Sequence, residues 1–201
     1  SVKLLILLPV VREDDAIESY GKQIGIEVIH IGSFLAQEKD KHQIPQFEPL
    51  PFDAPLWIVY SSGTTGMPKP IVHGHGGTIL EGLKSLALGL DVDAGDRFFW
   101  QTSTSWIMWN SLVSALLSGA SVLQLDGHPS YPDFDTLWSF VSRHRANVVG
   151  ISPAYIGMCI KEGYKPADRF DLSALKTLGS TGSPLSSAGY RWVYESVSAD
   201  L

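Results

Sequence analysis

The sequence predicts an α/β fold, a mostly parallel sheet with flanking helices. Three observations carry this. Strand-sized apolar runs alternate with helix-spaced apolar residues through the second half, the pattern of parallel strands joined by helical crossovers. Leu4–Leu8 is apolar at every position, as in a strand buried on both faces. The hydrophobic fraction is 44% over 201 residues, enough for a sizeable core.

The elements follow in order. Leu4–Leu8 and Ile26–Ile31 read as strands, and Ser33 as the cap of a short helix through Gln37. Glu13, Asp14 and Asp15 read as surface residues, as does the mixed run Glu38-Lys39-Asp40-Lys41. Pro45, Pro49, Pro51 and Pro55 are too many prolines for a helix or a central strand. They divide the chain into a strand/helix segment (1–45), a connection (46–55) and the main body (56–201). Leu56–Tyr60 is a strand, and a second short one surrounds Ile71-Val72. Helical spacing begins after Gly76-Gly77, with Ile79, Leu80, Leu83, Leu86 and Ala87 on one face. Arg97–Gln101 is a strand. Trp106, Trp109, Val113, Leu116 and Leu117 share a helical face stopped by Gly119. Ser121–Leu125 is a strand. Phe134, Leu137, Trp138 and Val141 form an amphipathic helix. Asn147–Ile151 is a strand, followed by a helix with Ser152 at its N-cap and Pro153 at its first position. Thr177–Gly179 is a short strand, and Tyr190, Val193, Tyr194 and Val197 mark a last helix starting near Ser186. The chain begins inside a strand and ends after a helix, so it reads as a piece of a longer polypeptide.

Composition narrows the function classes. The net charge is −6, with 15 Lys and Arg spread thinly, which argues against a nucleic-acid surface or an anionic membrane surface. No apolar run reaches the ~18–20 residues that span a bilayer, and no small-residue cleavage site follows the first one. One cysteine, Cys159, excludes an internal disulfide framework. It shares a helix with Ile156 and Ile160 and reads as buried packing. Of six tryptophans, three lie within residues 100–109.

The most informative segment is Tyr60-Ser61-Ser62-Gly63-Thr64-Thr65-Gly66-Met67-Pro68-Lys69-Pro70. Its chemistry suits an oligophosphate. Glycines let the backbone turn its N–H groups inward, hydroxyls donate to phosphate oxygens, and Lys69 brings a mobile charge. Pro68 and Pro70 exclude the Walker A pattern, which needs Gly before the lysine and Ser or Thr after it. Composition alone leaves a plain Ser/Gly hairpin turn as the alternative. His73 and His75 form a His-x-His pair with no third ligand, so a packing or loop-orienting role is expected rather than a metal.

The segment Tyr60 to Lys69 resembles the phosphate-binding signature of the adenylate-forming superfamily. Its surroundings resemble acetoacetyl-CoA synthetases in particular: Pro51-Phe52, Pro55-Leu56-Trp57, Ile71 to Gly77, Trp106 to Asn110, Asp126-Gly127, Leu178 to Leu185 and Arg191 to Glu195. The resemblance covers nearly the whole chain, most weakly residues 1–45, and implies part of the N-terminal domain of such an enzyme.

The resemblance implies an acid–thiol ligase that converts acetoacetate and ATP to an acyl-adenylate and pyrophosphate, then transfers the acyl group to CoA. It assigns the ATP phosphates to Ser61, Ser62, Gly63, Thr64, Thr65, Gly66 and Lys69, with Lys69 and Thr64 catalytic, and Mg²⁺ accompanying ATP. It places adenine against Gly182, Ser183 and Pro184, and the acyl group against Trp106, Ile107, Met108 and Thr181. Trp109 is expected in the core. Ser105 stands where the family has Gly, which is expected to narrow the acyl pocket or alter the loop. The family's Tyr-Gly-x-Thr-Glu-like motif and its adenylation-lysine domain do not occur in these residues. The implied partners are therefore small-molecule substrates and the remaining C-terminal part of the same polypeptide, and the isolated piece is expected to be inactive. The family implies a cytoplasmic parent serving ketone-body use and lipid metabolism. Two alternatives stand: a ligase for another short-chain acid, and a non-catalytic nucleotide-binding module.

Overall fold

A computed structural model describes residues 4–7, 15–30, 33, 36, 46–61 and 66–201. The chain divides into two compact units, residues 1–49 and 50–201.

In the first unit, β1 (Leu4–Leu7) pairs in parallel with β2 (Glu27–His30) through α1 (Asp15–Gln23). The two strands were expected; α1 was not. Its apolar stripe is thin, and Gly21 is a poor helix former. The structure supplies the reason for that glycine: a Cβ there would lie 2.3 Å from Val28 Cγ2, so the helix presses directly on β2. Of the short helix expected from Ser33, only Ser33 and Ala36 are described, both helical. The run Glu38–Lys41 lies outside the described residues.

The second unit opens with an antiparallel hairpin of β3 (Pro55–Ser61) and β4 (Lys69–Gly74). Burial alternates along β3, with Trp57, Val59 and Ser61 half-buried. Helix α2 (His75–Lys84) starts directly after β4, before Gly76-Gly77 rather than after them, and continues as a π turn over Ser85–Gly89. Gly76 is required because a Cβ would penetrate the Phe52 ring at 2.0 Å. Of the expected apolar face, only Leu86 is buried; Ile79, Leu80 and Leu83 are exposed.

The main sheet is fully parallel, in the order β6-β5-β7-β8. Its strands are β5 (Arg97–Trp100), β6 (Ser121–Leu123), β7 (Val148–Ile151) and β8 (Thr177–Ser180). Helices α3 (Ile107–Ser114), α4 (Asp135–Arg143), α5 (Pro153–Lys161) and α6 (Ser187–Ser196) connect and flank them. All four residues of β7 are buried, as a central parallel strand requires. Alternation sends Phe99, Val149 and Ile151 to one core with Leu137, Trp138, Tyr155 and Ile156. Phe98, Trp100 and Val148 go to a second core with Leu112 and Ala115.

Capping chemistry sets the helix starts. Ser152 Oγ accepts the Tyr155 N–H at 3.1 Å with Pro153 following, and Ser186 Oγ accepts the Gly189 N–H at 3.1 Å. Gly119 ends the α3 region in the left-handed conformation, φ 76°. The buried stripe there is Leu112 and Ala115 with Trp109 and Met108 packed beside it, not the expected one; Leu116 and Leu117 are exposed. In α6, Trp192 and Val193 are buried while Tyr190 and Tyr194 face outward.

Asn147 ties the sheet together at the edge where the strands begin. Its Oδ1 accepts the Arg97 N–H at 2.9 Å and its Nδ2 donates to Ala174 O at 3.1 Å. Its backbone N–H donates to Arg97 O, and its carbonyl accepts from the N–H groups of Lys176 and Thr177.

Candidate functional site

Ligands of open parallel sheets bind beyond the carboxyl ends of the strands. The strands β5, β6, β7 and β8 all end on one side here, and their four following segments line a cleft of about 1070 Å³. β5 contributes Trp100 and then Gln101 to Ser103; β6 contributes Gln124 to Pro129; β7 contributes Ser152; β8 contributes Thr181 and Gly182. The first turn of α3 closes the wall with Trp106, Ile107, Met108 and Trp109.

The wall is mostly apolar. Trp106 is the N-cap residue of α3, in extended backbone and 67% exposed, so it sits at the rim rather than on a buried helix face. Trp109 packs against the second core and also borders the cleft, so it serves both environments. Trp100 spreads its indole over two glycines of neighbouring strands. A Cβ at Gly150 would meet its ring atoms at 1.9 to 2.3 Å, and one at Gly179 at 2.5 Å. Those glycines exist so that the indole can lie against the sheet.

Several polar groups interrupt this wall. Gln101 is pinned by its N–H to Gly150 O at 2.9 Å, while its side-chain Oε1 is buried with no hydrogen-bond partner among the described residues. Outside this cleft, Ser180 Oγ at the end of β8 is likewise buried and unpartnered among the described residues, beside a smaller hollow next to α6. The His128 ring Nδ1 accepts the Ser130 N–H at 3.3 Å and lies 3.0 Å from Ser130 Oγ. Among the described residues lining the cleft, Asp126 is the one carboxylate, and no Lys or Arg takes part.

The structure gathers all four residues expected around the acyl group, Trp106, Ile107, Met108 and Thr181, into this cleft. Of the expected adenine segment, Gly182 (φ 110°) lines it, whereas Ser183 and Pro184 line two smaller hollows beside α5 and α6. Ser105 is not part of the wall; its Oγ lies 3.0 Å from Ser103 Oγ, turned into its own loop. The phosphate-loop residues Ser62, Gly63, Thr64 and Thr65 lie outside the described residues. Their flanks are clear: Ser61, the last residue of β3, stands opposite Lys69, the first of β4, with Gly66 between them and close to Lys69 in sequence. The β3–β4 hairpin thus draws Ser61 and Lys69 together.

His73 lies on β4, but His75 opens α2, so the pair does not share one strand face. The His75 ring nitrogen Nδ1 sits 2.8 Å from Ala54 O, which orients the loop ahead of β3. No group of three His, Cys, Asp or Glu side chains converges for a metal among the described residues. Cys159 is buried, and burial pushes its thiol up to about 12, so it stays protonated at neutral pH. Sequence reasoning missed Gln101, Ser152 and His128 as cleft residues. The available signal was positional, since each follows the end of a parallel strand.

The chain matches the family model described as "AMP-binding enzyme" over residues 2–200. It is 45% identical over 155 residues to the acetoacetyl-coenzyme A synthetase of Rhizobium meliloti, covering 77% of this chain and 24% of that protein. It is 40% identical over 175 residues to the acetoacetyl-CoA synthetase of Gallus gallus, covering 86% and 26%. Among solved structures, the acetoacetyl-CoA synthetase from Streptomyces lividans superposes with a TM-score of 0.79 at 40% identity, over 96% of this chain and 28% of that one. The chain thus spans about a quarter of the length of these relatives. With a family model matched over nearly every residue, the chain belongs to the AMP-binding enzymes.

Proposed function

We propose that this chain is part of an ATP-dependent acid–thiol ligase that activates acetoacetate as an acyl-adenylate and passes it to CoA, releasing AMP and pyrophosphate. The observation that carries the reading is the meeting of Trp106, Ile107, Met108 and Thr181 in one cleft at the carboxyl edge of the sheet. They come from the start of α3 and from the segment after β8, far apart in sequence, and all four match acyl-pocket positions in the resemblance to acetoacetyl-CoA synthetases. The names of the relatives support the same acid.

In this reading residues 1–45 and 56–201 belong to one nucleotide-binding domain, joined by the proline-rich connection. Ser61 to Gly66 and Lys69 hold the ATP phosphates, with Thr64 and Lys69 stabilising the charge that moves onto them. Gly182, Ser183 and Pro184 border the adenine. Mg²⁺ accompanies ATP, held mainly by its phosphates, as it commonly is. By the family resemblance, charge stabilisation at the reacting carboxylate is supplied by the adenylation lysine of the rest of the polypeptide. The family resemblance implies that the parent enzyme works in the cytoplasm.

The test is ATP–pyrophosphate exchange with acetoacetate, run on the complete gene product and on residues 1–201 alone. Exchange by the former and none by the latter is expected. A gene product ending at Leu201, or one that binds ATP without exchange, would replace the ligase with a nucleotide-binding module.

A further inference from the structure

Gln101 is the cleft-lining residue whose side chain carries a buried polar atom with no hydrogen-bond partner among the described residues. It follows β5, and its backbone is fixed to β7 by the bond to Gly150 O. Trp100, Trp106, Met108, Trp109 and Leu112 surround the same space with apolar surface. Gln101 lines this space, and its carboxamide oxygen is buried with no described protein group to satisfy it. An unpartnered buried acceptor is unfavourable relative to a satisfied one, so a neutral apolar side chain would suit a purely structural wall better.

We infer that Gln101 reads a neutral carbonyl on the substrate, and so selects short monocarboxylic acids with a β-carbonyl, whether ketone or amide. The inference rests on the ligase reading and sharpens its substrate class. With no protein partner holding its oxygen, the carboxamide turns to bring its N–H to the ligand carbonyl. An acid of the same length with a methylene in that place leaves the amide unpaired on both ends, and the loss is felt in kcat/KM rather than in folding. The charge of the wall points the same way. A second carboxylate on the substrate would meet Asp126 and no Lys or Arg among the described lining residues, so dicarboxylic acids are repelled.

The experiment measures acid-dependent ATP–pyrophosphate exchange by the complete gene product with acetoacetate, 3-amino-3-oxopropanoate, butanoate and malonate. Acetoacetate and 3-amino-3-oxopropanoate are expected to exceed butanoate in kcat/KM by about 10- to 100-fold, with malonate below all three. Gln101→Met keeps the shape and removes the hydrogen bond. It is expected to shrink the acetoacetate-to-butanoate ratio to within about threefold of unity. Asp126→Asn is expected to raise malonate relative to the others. Butanoate used as well as acetoacetate by the wild type, or an unchanged ratio in Gln101→Met, overturns the role of Gln101 and leaves the ligase reading intact. Exchange with no acid at all overturns both.

Discussion

Replacing Gly150 by Ala tests the packing that shapes the cleft. The new methyl would lie 1.9 to 2.3 Å from Cδ2, Cε2 and Cε3 of Trp100, where ordinary contact begins near 3.4 Å. The indole must therefore move by roughly 1.5 Å, and it has little room, being 5% exposed and stacked on Phe98 at a centroid distance of 6.0 Å. The expected cost lies toward the top of the ~1–3 kcal/mol usual for overpacked cores. At roughly 2–4 °C per kcal/mol for a chain of this size, the melting temperature falls by about 6–12 °C. Urea unfolding of the chain followed by tryptophan fluorescence reads it directly. In a Trp100→Leu background the same substitution should cost at least ~1 kcal/mol less, because the pair share one contact. Gly157 in α5 is the control: a Cβ there meets nothing within 4 Å, so Gly157→Ala should gain about 0.5–1 kcal/mol. A Gly150→Ala chain within ~0.5 kcal/mol of wild type would refute the argument.

Three further outcomes are expected. Lys176 Nζ is held by Asp96 at 2.8 Å, Asp93 at 3.3 Å and Asp91 at 3.6 Å, and the hydrogen bond to Asp96 raises its pKa. Lys176→Met should destabilise by about 1 kcal/mol at low salt and less in 0.5 M NaCl, with partial recovery on adding Asp93→Asn, measured by urea titration. Cys159 has a folded pKa of about 12 against 9.0 for an ordinary thiol, so the unfolded chain ionises first. Its contribution is complete below pH 9 and is lost as pH rises from there toward 12; Cys159→Ala should flatten that part of the stability profile. Asp135 accepts hydrogen bonds from Arg169 and, at 2.7 Å, from Tyr164 Oη, and these hold its carboxyl below the ordinary value of 3.8. Its contribution is present above that value and is lost as pH falls through the lower folded one, so Asp135→Asn should weaken the chain at pH 7 and blunt its acid transition.

Much of the second unit was legible because several signals agreed at each place. Leu137, Trp138 and Val141 repeat at helical spacing and are buried in α4, and Ser152-Pro153 states a helix start in both cap and φ chemistry. Where one signal stood alone it misled. The stripe Ile79, Leu80, Leu83 is regular but exposed, since periodicity records an apolar face and not what stands opposite it. Trp106 looked like one of a helical series, yet the helix begins one residue later and leaves it at the rim. The four acyl-wall residues were found through likeness to a family. Gln101 was invisible, because nothing in the identity of a strand-end glutamine tells whether its amide finds a partner.

A parallel sheet has no hairpin turns to set its phase, and Asn147 supplies what they would. By bonding to Arg97, Ala174, Lys176 and Thr177 it gives β5, β7 and β8 a common starting line. Each of these strands is four residues long, so they finish within one residue of each other: Trp100, Gly150 and Gly179 stand side by side, and β7 and β8 run one residue further to Ile151 and Ser180. Side chains alternate, so one residue inserted within a strand would reverse the parity of its end and deliver the opposite face to the cleft. The same residue inserted in a loop beyond the finish would leave parity untouched. Changes of length are thus sorted by location: those upstream of the finishing line rewrite which side chains a substrate meets, and those past it only reshape the rim.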